Sequence, residues 1–106
     1  MGVLVAQMRL AQINSFRSDL NYQITLISAT KQDLITQVND LVGLGSSMES
    51  DSPEMKALEK KRERLQQAEK ALDQILQRYQ TQLQMLDAEE QSVRQMLQSS
   101  IQRMYS

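Results

Sequence analysis

Asp87, Glu89 and Glu90 form the densest acidic group in this chain of 106 residues, and paired carboxylates are the usual start of acid–base or metal chemistry. Their spacing works against it, because neighbouring residues on a helix diverge by about 100° and cannot face one substrate. Nothing completes a site either: the chain has no His and no Cys, so the commonest general base, the thiolate nucleophile and the usual zinc ligands are all missing. No Gly-rich loop is present to cradle a phosphate. The expectation is a protein that is not an enzyme, with no catalytic, cofactor-binding or metal-ligating residue. Glu90 and Arg94 form a favourable i to i+4 pair instead.

The second group that could do chemistry is basic, the run Lys56-Ala57-Leu58-Glu59-Lys60-Lys61-Arg62-Glu63-Arg64. Glu54, Glu59, Glu63 and Glu69 lie among the basic residues, so pairs such as Lys56 with Glu59 and Lys60 with Glu63 read as a solvated helix face. Over the whole chain 12 Lys+Arg stand against 13 Asp+Glu, a net charge of −1, which argues against nucleic acid as a partner. Tyr22, Tyr79 and Tyr105 are too scattered to stack bases, and Tyr79 reads as a core residue.

What remains is the scaffold. The only strong punctuation falls in Gly43-Leu44-Gly45-Ser46-Ser47-Met48-Glu49-Ser50-Asp51-Ser52-Pro53, which reads as a loop over about 44–53. Gly43 suits a left-handed residue closing a helix over about 3–43. Ser52, Pro53 and Glu54 suit the start of a helix over about 54–105: a hydroxyl cap, a proline with no N–H to leave unbonded, and an acid at the positive end of the helix dipole. Val3-Leu4-Val5-Ala6 is broken by Gln7 and Arg9, which is no cleavable leader, and no window reaches the roughly 18 apolar residues of a membrane span. The location expected is cytoplasmic, or exported without a cleavable signal peptide.

Heptads organise both arms. Ile13, Leu20, Ile27, Leu34 and Leu41 recur every seven residues as d positions, with Val3, Leu10, Arg17, Ile24, Lys31 and Val38 as a positions. After the loop, Leu58, Leu65, Leu72, Tyr79, Leu86 and Val93 form one series, and Met55, Arg62, Glu69, Leu76, Leu83, Glu90, Leu97 and Met104 the other. The fold class expected is all-α: an antiparallel two-helix coiled-coil hairpin with unequal arms, a single domain over 1–106. Its intramolecular seam rests on Ile13, Leu20, Ile27, Leu34, Leu41, Leu58, Leu65, Leu72, Leu76 and Leu86, with Lys31 within about a turn of Glu69.

Two helices bury one stripe each and close no three-dimensional core. Leu4, Met8, Tyr22 and Leu26 gather on the side of the first arm opposite its seam, with Ala11 and Ala29, while Phe16, Ile35 and Val42 flank the seam itself. The longer second arm overhangs the first by about ten residues, leaving Ile101, Met104 and Tyr105 without an intramolecular partner. The assembly contacts expected are Tyr22, Leu26, Met96, Ile101, Met104 and Tyr105, and the partners expected are copies of the same chain. Another helical protein, held by a small cytoplasmic adaptor or chaperone, is the alternative.

The layout resembles the needle and filament subunits of type III secretion systems, which are short helical hairpins without a leader. Ser50-Asp51-Ser52-Pro53 keeps the closing proline and an acidic residue of that family's turn but lacks its opening proline. The resemblance implies a structural subunit that polymerises, with the end of the second helix lying against neighbouring subunits.

Overall fold

A computed structural model describes residues 2–105, which form two helices, α1 (Val3–Gly45) and α2 (Pro53–Tyr105). Among the described residues there is no strand, and the chain is an all-α helical hairpin. The turn is shorter than its composition suggests. Residues 46–52 lie outside the helices, and α1 runs through Gly43 with no left-handed glycine anywhere among the described residues. The expected closure by Gly43 is therefore replaced by another device: Ser46 and Ser47 donate their hydroxyls to the carbonyls of Gly43 (2.7 Å) and Leu44 (3.0 Å). The backbone N–H groups of Ser47 and Met48 tighten the exit onto the carbonyls of Leu44 and Gly45. Helix-end carbonyls that a left-handed residue would otherwise serve are thus satisfied from the next two side chains.

The start of α2 follows the sequence reading. Ser52 Oγ accepts the N–H of Met55 at 3.1 Å, three residues on, Pro53 occupies the first helical position and Glu54 lies in the first turn.

Contacts group into two compact units, Met1–Ile24 with Arg78–Ser106, and Thr25–Gln77. In the first, Ala6, Ile13 and Val93 are buried, with Leu10, Leu86 and Leu97 packed against them. In the second, Leu41 is buried, and Gly45 comes so close to α2 that an added Cβ would sit 3.1 Å from Leu58. That close approach sets the turn's geometry, because the glycine lets the arms converge before the chain reverses.

Burial follows the heptad through both arms. Every a and d position from Val3 to Leu41, and from Met55 to Ser100, is buried or half-buried. All ten seam residues expected from the sequence are among them, Ile13 and Leu41 buried and the other eight half-buried. Half-burial is what two helices can achieve, since a knob seated in the facing helix still has solvent on one side.

The overhang is smaller than the difference in arm lengths. Ser100 is half-buried and residues 101–105 are all exposed, so about five residues are left over and not ten. With Gly45 opposite Leu58, the first turn of α2 lies beside the reversing chain, and this absorbs the other half of the excess length.

Candidate interaction surfaces

Two polar layers interrupt the seam, each where α1 places a cation at an a position. In the first unit Arg17 Nη2 donates to Asp87 Oδ1 at 2.9 Å and to Glu90 Oε2, and its Nη1 donates to Asn14 Oδ1 at 3.0 Å. Arg94 closes the network, with Nε and Nη2 both donating to Glu90 Oε1 at 3.1 and 2.9 Å. The Glu90 side chain keeps 19% of its surface exposed and Arg17 26%, so water screens the layer only in part. The Arg17 hydrogen bond, then that of Arg94, holds the Glu90 carboxyl below its ordinary range against the opposing cost of partial burial. Arg17 is raised in turn, first by its bond to Glu90.

In the second unit Lys31 pairs with Asp73, one turn beyond the expected Glu69, and this bond with the added field of Glu69 raises the lysine. Arg62, the remaining cation at a seam position, has a buried Nε with no hydrogen-bond partner among the described residues. The expected ladders Lys56–Glu59 and Lys60–Glu63 do not close into ion pairs, and all four side chains are exposed. At i to i+3 spacing in open water the Coulomb gain is too small to hold two long side chains together.

The acidic group Asp87, Glu89 and Glu90 faces the arginines of α1. Asp87 and Glu90 bind Arg17, and Glu89 accepts from Arg9 Nε at 2.6 Å, so each carboxylate answers an arginine on α1. The pair Glu90–Arg94 was legible from its spacing, whereas the cross-helix pairs depend on the stagger of the arms. These charges also restrict how copies can pair. Parallel α1 helices would stack Arg17 on Arg17 and Lys31 on Lys31, and parallel α2 helices would stack Arg62, Glu69 and Glu90 on themselves.

The six residues expected to contact other subunits are all exposed: Tyr22 at 63%, Leu26, Met96 and Ile101 at 40–46%, Met104 at 72% and Tyr105 at 87%. Tyr22 belongs to the first unit with Met96 and the C-terminal residues, and Leu26 to the second. Val5, Met8, Phe16 and Met85 are exposed as well. Val5 and Met85 escaped the sequence reading because single apolar residues at c positions look ordinary until the neighbouring helix is in place.

Those additional residues line two grooves on one flank of the first unit. One, of about 540 Å³, is bounded by Phe16, Leu20, Met85 and Leu86, with Asp19 and Gln82 at its rim. The other, of about 460 Å³, is bounded by Val5, Met8, Val93 and Met96. Glu89, paired with Arg9, borders both. Low-numbered residues of α1 stand beside high-numbered residues of α2, as antiparallel pairing requires. Among the described residues no cluster of three or more acidic groups suits a metal ion, and no helix is long and apolar enough to cross a membrane. No family model matches the chain, and neither the curated proteins nor the solved structures contain a match to it.

Proposed function

We propose that the chain is a non-enzymatic structural protein that associates with copies of itself through apolar stripes left over from its own seam, building an oligomer or filament. The observation that carries this reading is the exposure of Leu4, Val5, Met8, Phe16, Tyr22, Met85, Met104 and Tyr105, each more than half accessible. A two-helix hairpin has no further layer with which to cover them, and exposed apolar side chains gathered in grooves, as Phe16 with Met85 and Val5 with Met8 are, mark association sites. The turn residues Ser50-Asp51-Ser52-Pro53 and the exposed end of α2 are consistent with a subunit like those of secretion needles.

The test is size-exclusion chromatography with light scattering over a concentration series, followed by negative-stain microscopy of the heaviest fraction. Mass that grows with concentration, or visible fibres, supports self-assembly, whereas a monomer at every concentration refutes it. Leu26→Glu should stop the growth while helicity survives.

A second reading draws on the three methionines Met8, Met85 and Met96 along one flank, since flexible thioether side chains suit an adaptor that repacks around a helical client. That reading predicts a small closed species from the pure protein and a stoichiometric complex with the client.

A further inference from the structure

The two flanks of the first unit differ in kind. On one side of the seam the exposed residues are mostly polar, among them Gln7, Asn14, Asn21, Gln80, Gln91 and Arg94, with Leu4 and Ile101 as the large apolar exceptions; on the other are the two grooves and the apolar side chains that line them. The second flank, where Val5, Met8, Phe16, Met85 and Met96 gather, gains more from being covered. We infer that it docks face to face on the same flank of a second copy, about a two-fold axis parallel to the helices, so that α1 of each copy lies antiparallel along α2 of the other. This rests on the self-association reading and names the surface that does it.

Charge selects the occupant and the axis. The flank carries Arg9 and Glu89, already paired, with Asp19 at the edge and Arg78 and Arg103 one heptad from Met85 and Met96, a mixed set close to neutral that does not strongly repel its own copy. With the two-fold along the helices, Arg9 of one copy faces Glu89 of the other in both directions, and the ion pair becomes a four-membered cluster. A two-fold perpendicular to the helices at the level of this pair would instead stack Arg9 on Arg9 and Glu89 on Glu89. The same axis sets Phe16 against Met85 of the other copy, a favourable ring–sulfur contact, and sets Val5 and Met8 against Met96. Val5, Met8, Phe16, Met85 and Met96 are each between 46% and 67% exposed. Covering them with the groove walls removes on the order of 500 Å² per copy, or about 1,000 Å² in all, which reaches the lower limit of a specific interface.

The absence of cysteine makes the test clean, because one introduced thiol reports alone. Gln82 and Gln80 are both exposed and lie on opposite flanks of α2; Gln82 borders the Phe16 groove and falls beside the proposed axis. Under mild oxidation Gln82→Cys should form a covalent dimer roughly tenfold or more faster than Gln80→Cys, because docking raises the effective concentration of the paired thiols. Adding Met85→Glu to Gln82→Cys should bring the rate down to that of Gln80→Cys while circular dichroism shows the helices intact. Light scattering on the unmodified chain separates the two claims. An oligomeric chain whose two cysteine variants cross-link at equal rates, or faster at position 80, overturns the flank and leaves self-association standing. A chain that remains monomeric and shows no preference for position 82 overturns both.

Discussion

Replacing Ile13 by alanine tests whether burial, and not side-chain size, holds the arms together. Ile13 is 0% exposed and sits with Ala6 and Val93 in the one compact cluster of the first unit. The substitution removes three carbons, about 2.4 kcal/mol at ~0.8 kcal/mol each, and leaves a cavity that raises the total to about 3–4 kcal/mol. Collapse around the gap is limited, because Arg17, one turn on, is tied to Asp87 and Glu90. Phe16→Ala removes a larger group, but that ring is 51% exposed and opens on the groove, so roughly 1 kcal/mol is expected and no sealed cavity forms. Urea unfolding followed by circular dichroism, at a dilution where light scattering shows monomer, gives both values directly. A loss below about 1 kcal/mol for Ile13→Ala, or a larger loss for Phe16→Ala than for Ile13→Ala, would refute the reasoning. At higher concentration the Phe16 variant should fall further behind, since its buried contacts are then those made with a second copy.

Glu90 is held below its ordinary value of 4.5, so its contribution is complete above that value and is lost as pH falls through the depressed one. The urea midpoint should therefore drop as the pH falls below the ordinary value of 4.5, and Glu90→Gln should flatten that drop. Lys31 is raised above its ordinary 10.5, so its contribution holds below that pH and disappears only on further alkalinisation; Lys31→Met should remove this alkaline limb of the profile. Ser52→Ala deletes the acceptor for the Met55 N–H and should cost about 1 kcal/mol in the same unfolding assay, with Ser52→Gly closer to wild type. Gly43→Ala should stabilise by about 0.5–1 kcal/mol, since Gly43 is helical with nothing within 4 Å of an added Cβ. Gly45→Ala meets Leu58 at 3.1 Å and should gain less than Gly43→Ala, a comparison that thermal unfolding of the two variants settles.

The hairpin and its seam were legible because periodicity is a local property. Ile13 through Leu41 and Leu58 through Leu86 repeat every seven residues, and that spacing alone brings them to one side of a helix. Ser52 and Pro53 were legible for a similar reason, since a cap acts on the backbone of its own next turn. The close of α1 was not. Gly43 and the pair Ser46–Ser47 offer two ways to satisfy the same carbonyls, and the approach of Leu58 to Gly45 accompanies a helix continued past Gly43.

The stagger of the arms belongs to the tertiary structure as well. A slide of about one turn exchanges a and d layers but keeps the apolar stripes facing, so the repeat alone leaves Lys31 free to meet Glu69 or Asp73 and does not bring Arg9 to Glu89. It also leaves open whether the surplus of α2 emerges at its end or is taken up beside the turn. The grooves are set at the same level. Phe16 and Met85 are 69 positions apart in the chain, and only the pairing of helices turns two unremarkable apolar residues into the walls of one apolar groove. The sequence by itself thus determined which face each helix buries, because that depends on a repeat within one helix; the structure decided which charges meet and which apolar residues are left to face outward together, because those depend on how far one helix slides along the other.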